Sequence, residues 1–258
     1  MNEVLLRLVE AADTLFVSGF AVFLRIGAAL ALMPAFGEQT VPVRIRLGLA
    51  LAFTAITAPA VAGTLPPLDG ATLIGRILAG EVIVGLAIGA VLRLFILALQ
   101  IAGAIAAQSV SLAQMFGIQG GEPQPAIGHV LTVSGLALAV MSGLHVKFAA
   151  LLIYSYELFP PGGFPAPGDF LEWGIDRVGK AFALGFGLAA PFVIVALLYN
   201  LALGVINRAM PQLMVAFVGA PAITAGGLIL LAMSLPYGLQ VWMRAFDAFL
   251  INPVGAAR

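Results

Sequence analysis

Five ionisable side chains interrupt long apolar runs in this chain: Arg25, Glu81, Arg93, Lys147 and Arg208. A charge at a bilayer centre costs about 2.5–3.5 kcal/mol on insertion scales, so each needs an ionic partner, a cavity or a route to the interface. Glu81 set against an arginine is the arrangement that a proton- or cation-coupled transporter uses. The alternative is a set of structural pairs between helices, with long stems reaching the interface where no partner is at hand. No two of the five stand at the i, i+3 or i+4 spacing that brings side chains together on one helix. The scatter favours the structural reading, and Arg25 and Glu81 are assigned a structural or intersubunit polar role.

Other chemistries lack their parts. The sequence has no cysteine, which excludes disulfides, thiolate metal sites and a cysteine nucleophile. Its two histidines, His129 and His145, stand sixteen apart with no carboxylate in ligand spacing, so no metal site is expected. No serine sits in a Gly-x-Ser-x-Gly elbow, and Gly120-Gly121-Glu122-Pro123 is not followed by the Lys-Ser/Thr of a phosphate-binding loop. The reading is of a protein without catalytic residues or cofactors. Any energy from nucleotide hydrolysis has to come from another protein.

Two polar, breaker-rich places remain. Met115 and Phe116 lead into Gly117, Ile118, Gln119, Gly120 and Gly121, followed by Glu122-Pro123-Gln124-Pro125. Deformable bulky side chains at the head of a flexible loop can close a narrow pore, and the competing reading is an ordinary connection. Further on, Asn207 and Arg208 precede Pro211, a residue that deletes a helix hydrogen bond. There the two polar side chains can satisfy freed carbonyls or meet a neighbouring subunit.

The elements that position these residues follow from composition. Of 258 residues, 62% are hydrophobic and only 9% charged, against roughly 25% in a soluble domain. A water-soluble globule is excluded. Lys and Arg total 12, as do Asp and Glu, and no basic tract is present to neutralise phosphates, so nucleic acid is not a partner. No charge lies between Arg46 and Asp69, Arg93 and Glu122, Lys180 and Arg208, or Arg208 and Arg244. At roughly 20 residues per span the chain has room for about six crossings. Helical segments are predicted near 15–33, 44–62, 71–116, 126–156, 170–207 and 210–249, in an all-α, integral membrane-type protein read as a single helical domain over 1–258.

Some of these segments are too long for simple spans. At 1.5 Å per residue, 126–156 would measure about 46 Å and 71–116 more, beyond a hydrocarbon slab of about 30 Å. Pro211, Pro221 and Pro236 are expected to break the last segment, and in lipid such breaks need protein or a water-filled cavity around them. The Pro/Gly run from Pro160 to Gly168 reads as a loop, with Asp169 and Glu172 as a capping box that starts a helix at Phe170. Gly85-x-x-x-Gly89 has the spacing of a tight helix contact. Trp173 and Trp242 suit interfacial anchors. Glu3, Glu10 and Asp13 stand where a cleavable signal needs basic residues, so the first segment is expected to be retained. Arg44 and Arg46 suggest a cytoplasmic loop, but the other flanking charges leave orientation open.

Two stretches are more distinctive. The first runs from Phe20 to Gly27, with Arg25 inside it, and continues through Met33-Pro34-Ala35-Phe36-Gly37-Glu38, Val41-Pro42 and Arg44-Ile45-Arg46-Leu47. The second contains Leu188 to Ile194, Leu198-Tyr199-Asn200-Leu201-Ala202-Leu203-Gly204 and Ile206-Asn207-Arg208-Ala209-Met210-Pro211-Gln212-Leu213-Met214-Val215, ending at Gly219-Ala220-Pro221. With these the chain resembles the FliR family of flagellar type III export proteins, whose injectisome counterparts form the SctT group. The resemblance covers nearly the whole chain.

The resemblance implies one subunit of an export gate built with several FliP and FliQ subunits, through which unfolded flagellar proteins leave the cytoplasm. It implies a right-handed helical assembly raised in large part above the inner membrane of the flagellar basal body, in which overlong and broken helices are covered by protein. FlhB is then expected around the closed gate and FlhA beneath it, with proton motive force and a separate ATPase driving export. By position, residues 115–125 fall where the family carries a pore-plugging loop. The alternatives are an injectisome gate subunit and a proton-coupled small-molecule transporter, the latter with its site between proline-broken helices.

Overall fold

A computed structural model describes residues 2–38, 41–64, 71–111, 126–161, 166–210 and 215–255. Seven helices make up almost all of it: α1 (Asn2–Leu32), α2 (Val43–Val61), α3 (Ala71–Ser111), α4 (Ala126–Met141), α5 (Leu144–Leu158), α6 (Pro167–Ala209) and α7 (Val215–Ile251). Among the described residues there is no strand. Helices over Val43–Thr64, Ile74–Val110, Pro167–Ala209 and Pro221–Ile251 are long and apolar enough to cross a membrane, and α4 with α5 meets the same test as a bent pair. The all-α, membrane-type reading therefore holds.

Local chemistry sets the ends. α1 stops short of Pro34, whose ring disfavours helical backbone in the residue before it. Ala35 takes a left-handed φ of 67°, and the Gly37 amide returns to Met33 O at 2.8 Å. A Cβ on Gly37 would overlap Leu30 O, so only glycine fits this turn. α6 starts earlier than the capping box predicts: Pro167 occupies the first turn, where its missing N–H costs nothing, and the Phe170 amide bonds Ala166 O at 3.0 Å. Asp169 then lies inside the first turn, a favourable place for an anion.

Two further expectations are corrected. The single helix predicted over 126–156 is two, because Gly143 adopts φ 82° and forms the N-cap of α5, a conformation that glycine enters without a Cβ penalty. Conversely, α7 runs unbroken through Pro221 and Pro236, and α6 through Pro191. Each proline removes one amide donor, and the intact bonds on either side carry the helix across.

The chain divides into two compact units. One consists of Met1–Arg93, Val140–Arg177 and Asp247–Arg258. Its core joins Ile26 of α1 and Met33 just after it, Phe53 of α2, Ile77 and Ile88 of α3, and Phe148 and Leu152 of α5. Phe53 meets Phe148 edge-on at 5.3 Å between ring centroids. Gly85 and Gly89 let α3 press against α1, since a Cβ on Gly85 would overlap Arg25 O and one on Gly89 would sit 3.1 Å from Ala29 Cα. The tight contact predicted from their spacing is thus an intrachain one.

The other unit consists of Leu94–Ala139 and Val178–Phe246. The second half of α3 is its hub, and small residues of three helices close on it. Gly128 of α4 meets Gly103 backbone to backbone, Gly185 of α6 faces Ala98 and Ile101, and Gly227 of α7 faces Val110. Trp242 is fully buried rather than interfacial; its Nε1 donates to Phe95 O at 2.8 Å, and its ring stacks on Phe246. Burial suits it because the indole N–H has found an acceptor. Large apolar side chains of α6, among them Phe182, Phe186, Leu197 and Leu201, point outward, as hydrocarbon or a packed neighbour requires.

Candidate functional site

The one buried ion pair among the described residues is Arg25 with Glu81, each side chain 1% exposed. Both sit on inward faces dictated by the 3.6-residue period. Arg25 follows Ala21 and Val22 and precedes Ile26 and Ala29, all buried; Glu81 belongs to the stripe Ile77, Glu81, Val84 and Ile88. Gly85, one turn beyond Glu81, admits the α1 backbone at this level. The helices thus deliver two opposite charges to one dry place.

Their geometry is that of a fork against a carboxylate. Arg25 Nε donates to Glu81 Oε2 at 2.6 Å and Nη2 to Oε1 at 2.9 Å, the bidentate form that is strongest for such pairs. From α5, Tyr156 donates its hydroxyl to Glu81 Oε2 at 2.9 Å. Arg25 Nη1 donates to Ser155 Oγ at 3.1 Å, and Nη2 also to the Phe159 carbonyl at 2.9 Å. The guanidinium carbon lies 3.7 Å from the centroid of the Tyr156 ring, within cation–π range.

Glu81 accepts three hydrogen bonds and Arg25 gives four, so the two buried charges compensate each other. The site holds α1, α3 and α5 in one register. Removing one partner of such a pair costs about 3–5 kcal/mol, because the survivor stays buried and uncompensated.

The remaining intramembrane-type charges follow the same logic. Arg93 pairs with Glu38, and Lys147 Nζ lies 2.7 Å from Asp247 Oδ1. These partners were missed from sequence, as were Tyr156 and Ser155. Pairs separated by 55, 56 and 100 positions leave no local spacing to find them by. Asn207 and Arg208 are exposed in the last turn of α6, where Arg208 complements the helix dipole. Pro211 and the whole pore-loop assignment, Met115, Phe116, Gly117, Ile118, Gln119, Gly120 and Gly121, lie outside the described residues. His129 and His145 are exposed, and no metal-binding cluster occurs among the described residues. In the second distinctive stretch, Tyr199 donates to Gly219 O at 2.7 Å and joins α6 to α7.

Comparison with known proteins agrees with these features. The family described as bacterial export proteins, family 1, matches residues 16–249. A flagellar biosynthetic protein FliR from Caulobacter vibrioides is 38% identical over 233 residues, covering 89% of this chain and 92% of that protein. FliR of Bacillus subtilis is 30% identical over 86% of the chain and 87% of its own length, and FliR of Escherichia coli is 28% identical over 84% of each. Coverage almost end to end, on a fold of long apolar helices, leaves one assignment: the chain belongs to the FliR family of bacterial export proteins.

Proposed function

We propose that this chain is a core subunit of the flagellar type III export gate, helping to form and close the channel through which unfolded flagellar proteins cross the inner membrane. Family membership makes it a membrane component of a flagellar export apparatus; the gate role is the further step. The observation that carries it is the match over residues 16–249. It is supported by helices such as α6, 43 residues long, which at about 65 Å exceeds a bilayer and turns large apolar side chains outward along much of its length.

In this reading the partners are FliP and FliQ, with FlhB and FlhA adjacent, in the flagellar basal body. Residues 115–121 act as the plug, and Asn207, Arg208 and Pro211 form a helix bend with a polar contact to a neighbouring subunit. The exposure of Asn207 and Arg208 leaves them available for that contact. The compensated Arg25–Glu81 pair favours a subunit held rigid over an autonomous proton-coupled transporter.

The deciding experiment is native mass spectrometry of the chain coexpressed with FliP and FliQ in gentle detergent. A stable hetero-oligomer holding one copy of this chain is expected. A monomer or homodimer that ignores both partners would overturn the gate reading.

A further inference from the structure

Phe159, the residue after α5, serves two groups at once. Its carbonyl accepts Arg25 Nη2 at 2.9 Å. Its ring meets Phe170 at 6.2 Å and Trp173 at 6.3 Å, both edge-on, and those two rings stack on each other at 5.8 Å. All of these residues belong to the unit that contains the buried ion pair.

The first turns of α6 then hold the segment that follows α7. Trp173 Nε1 donates to Pro253 O at 2.9 Å, and Arg177 Nη2 donates to Val254 O at 2.9 Å. The two donors are one helical turn apart and reach successive main-chain carbonyls, so they fix the path of the backbone rather than read side chains. Arg177 also lies close under Gly255, where a Cβ would sit 2.8 Å from Nη2, and Gly255 has φ 58°. The Gly255 amide closes the turn onto Asn252 Oδ1 at 3.0 Å. Pro253 is buried in this clasp.

We infer that the Arg25–Glu81 pair and the segment Asn252–Gly255 form one coupled latch, with Phe159 as the positioning residue between them. The ion pair fixes the Phe159 carbonyl, and with it the plane from which the ring projects. The ring sets the Phe170–Trp173 stack, and the stack aims Trp173 Nε1 at Pro253. The end of α7 thereby responds to a pair buried between α1 and α3, far away in sequence. Loosening the pair releases the segment while the helices stay folded. The latch stands independently of the gate role, because every contact in it lies within this chain.

The sequence contains no cysteine, so single-cysteine labelling tests the coupling cleanly. P253C reports on the segment, and A50C, at a buried position of α2, reports on general loosening. Each is combined with F159A, which removes the ring, or with the apolar pair R25L/E81L, which removes the donor to Phe159 O without stranding a charge. Maleimide labelling of the P253C variant in detergent is expected to rise about tenfold in both backgrounds, as for a local opening, with labelling of the A50C variant changed less than about twofold. Unchanged labelling of P253C in either background would overturn the coupling. An equal rise in P253C and A50C would do the same, since it reports global unfolding.

Discussion

Tyr156 donates its hydroxyl to Glu81 Oε2 at 2.9 Å, on the same carboxylate oxygen that Arg25 Nε holds at 2.6 Å. The carboxylate thus has a neutral donor and a charged one, and substitutions can remove them separately. Tyr156→Phe keeps the ring beneath the guanidinium and deletes only the neutral donor. A hydrogen bond to a charged group is worth about 1.5–3 kcal/mol, so Tyr156→Phe is expected to lower stability by that amount in detergent unfolding. A loss indistinguishable from zero would mean that the hydroxyl is not needed to compensate Glu81.

Glu81→Gln tests the charged half. The amide keeps the shape but leaves the Arg25 guanidinium buried without its counter-charge, at a cost of about 3–5 kcal/mol. Replacing both residues by leucine removes the charges together and should restore most of that loss. Unfolding midpoints of the single and double variants, measured in one detergent, check the order. A double variant less stable than Glu81→Gln would show that the site needs its polar bonds and not merely its charge balance.

How much of this was legible in the sequence differs by feature. What was readable by period alone is that Glu81 shares a helix face with Ile77, Val84 and Ile88, and Arg25 with Ala21 and Ala29, although helices apolar on every side leave open which face turns inward. Their pairing was not, because periodicity tells which face a residue occupies and not which distant helix meets it. The segment 126–156 was expected to run through Gly143, whose left-handed φ of 82° splits it. Pro221 and Pro236 misled in the opposite direction, since a local rule for helix breaking counts the lost amide donor and not the intact bonds on either side that carry α7 through. Trp242 read as an interfacial anchor because its acceptor, Phe95 O, lies 147 positions away. The family pattern reached what the local rules did not, the overall identity of the chain.

The contact between α3 and α4 predicts an asymmetry. A Cβ on Gly103 would overlap Gly128 Cα, whereas a Cβ on Gly128 finds its nearest neighbour, Gly103 Cα, at 3.6 Å. Gly103→Ala therefore has to move backbone, which does not yield as a flexible side chain does, and overpacking of this kind costs about 1–3 kcal/mol. Gly128→Ala should be neutral or slightly stabilising, helped by alanine's higher helix propensity. Thermal unfolding of the two variants side by side checks this, and equal destabilisation would refute it.

If residues 115–121 plug the gate, deleting Gly117 to Gly121 should raise passive leakage of small solutes through the assembled complex while the complex still forms. Conductance in planar bilayers measures it directly. Unchanged conductance from an intact complex would remove the plug assignment and return this stretch to an ordinary connection.

Arg208 separates intrachain from intersubunit roles. It is exposed in the last turn of α6, so its loss strands no buried group, and Arg208→Leu should leave the unfolding midpoint of the isolated chain nearly unchanged. In the gate the same side chain is available to a neighbour, where losing a desolvated hydrogen-bonded charge commonly costs about 2–5 kcal/mol. Arg208→Leu is therefore expected to lower the yield of complex with coexpressed FliP and FliQ by roughly tenfold or more, with ion flux through the complexes that do form little altered. Native mass spectrometry gives the yield, and bilayer recording gives the flux. Normal assembly would confine Arg208 to complementing the dipole of its own helix. Lost stability in the isolated chain would show that it has an intrachain role that its exposure does not suggest.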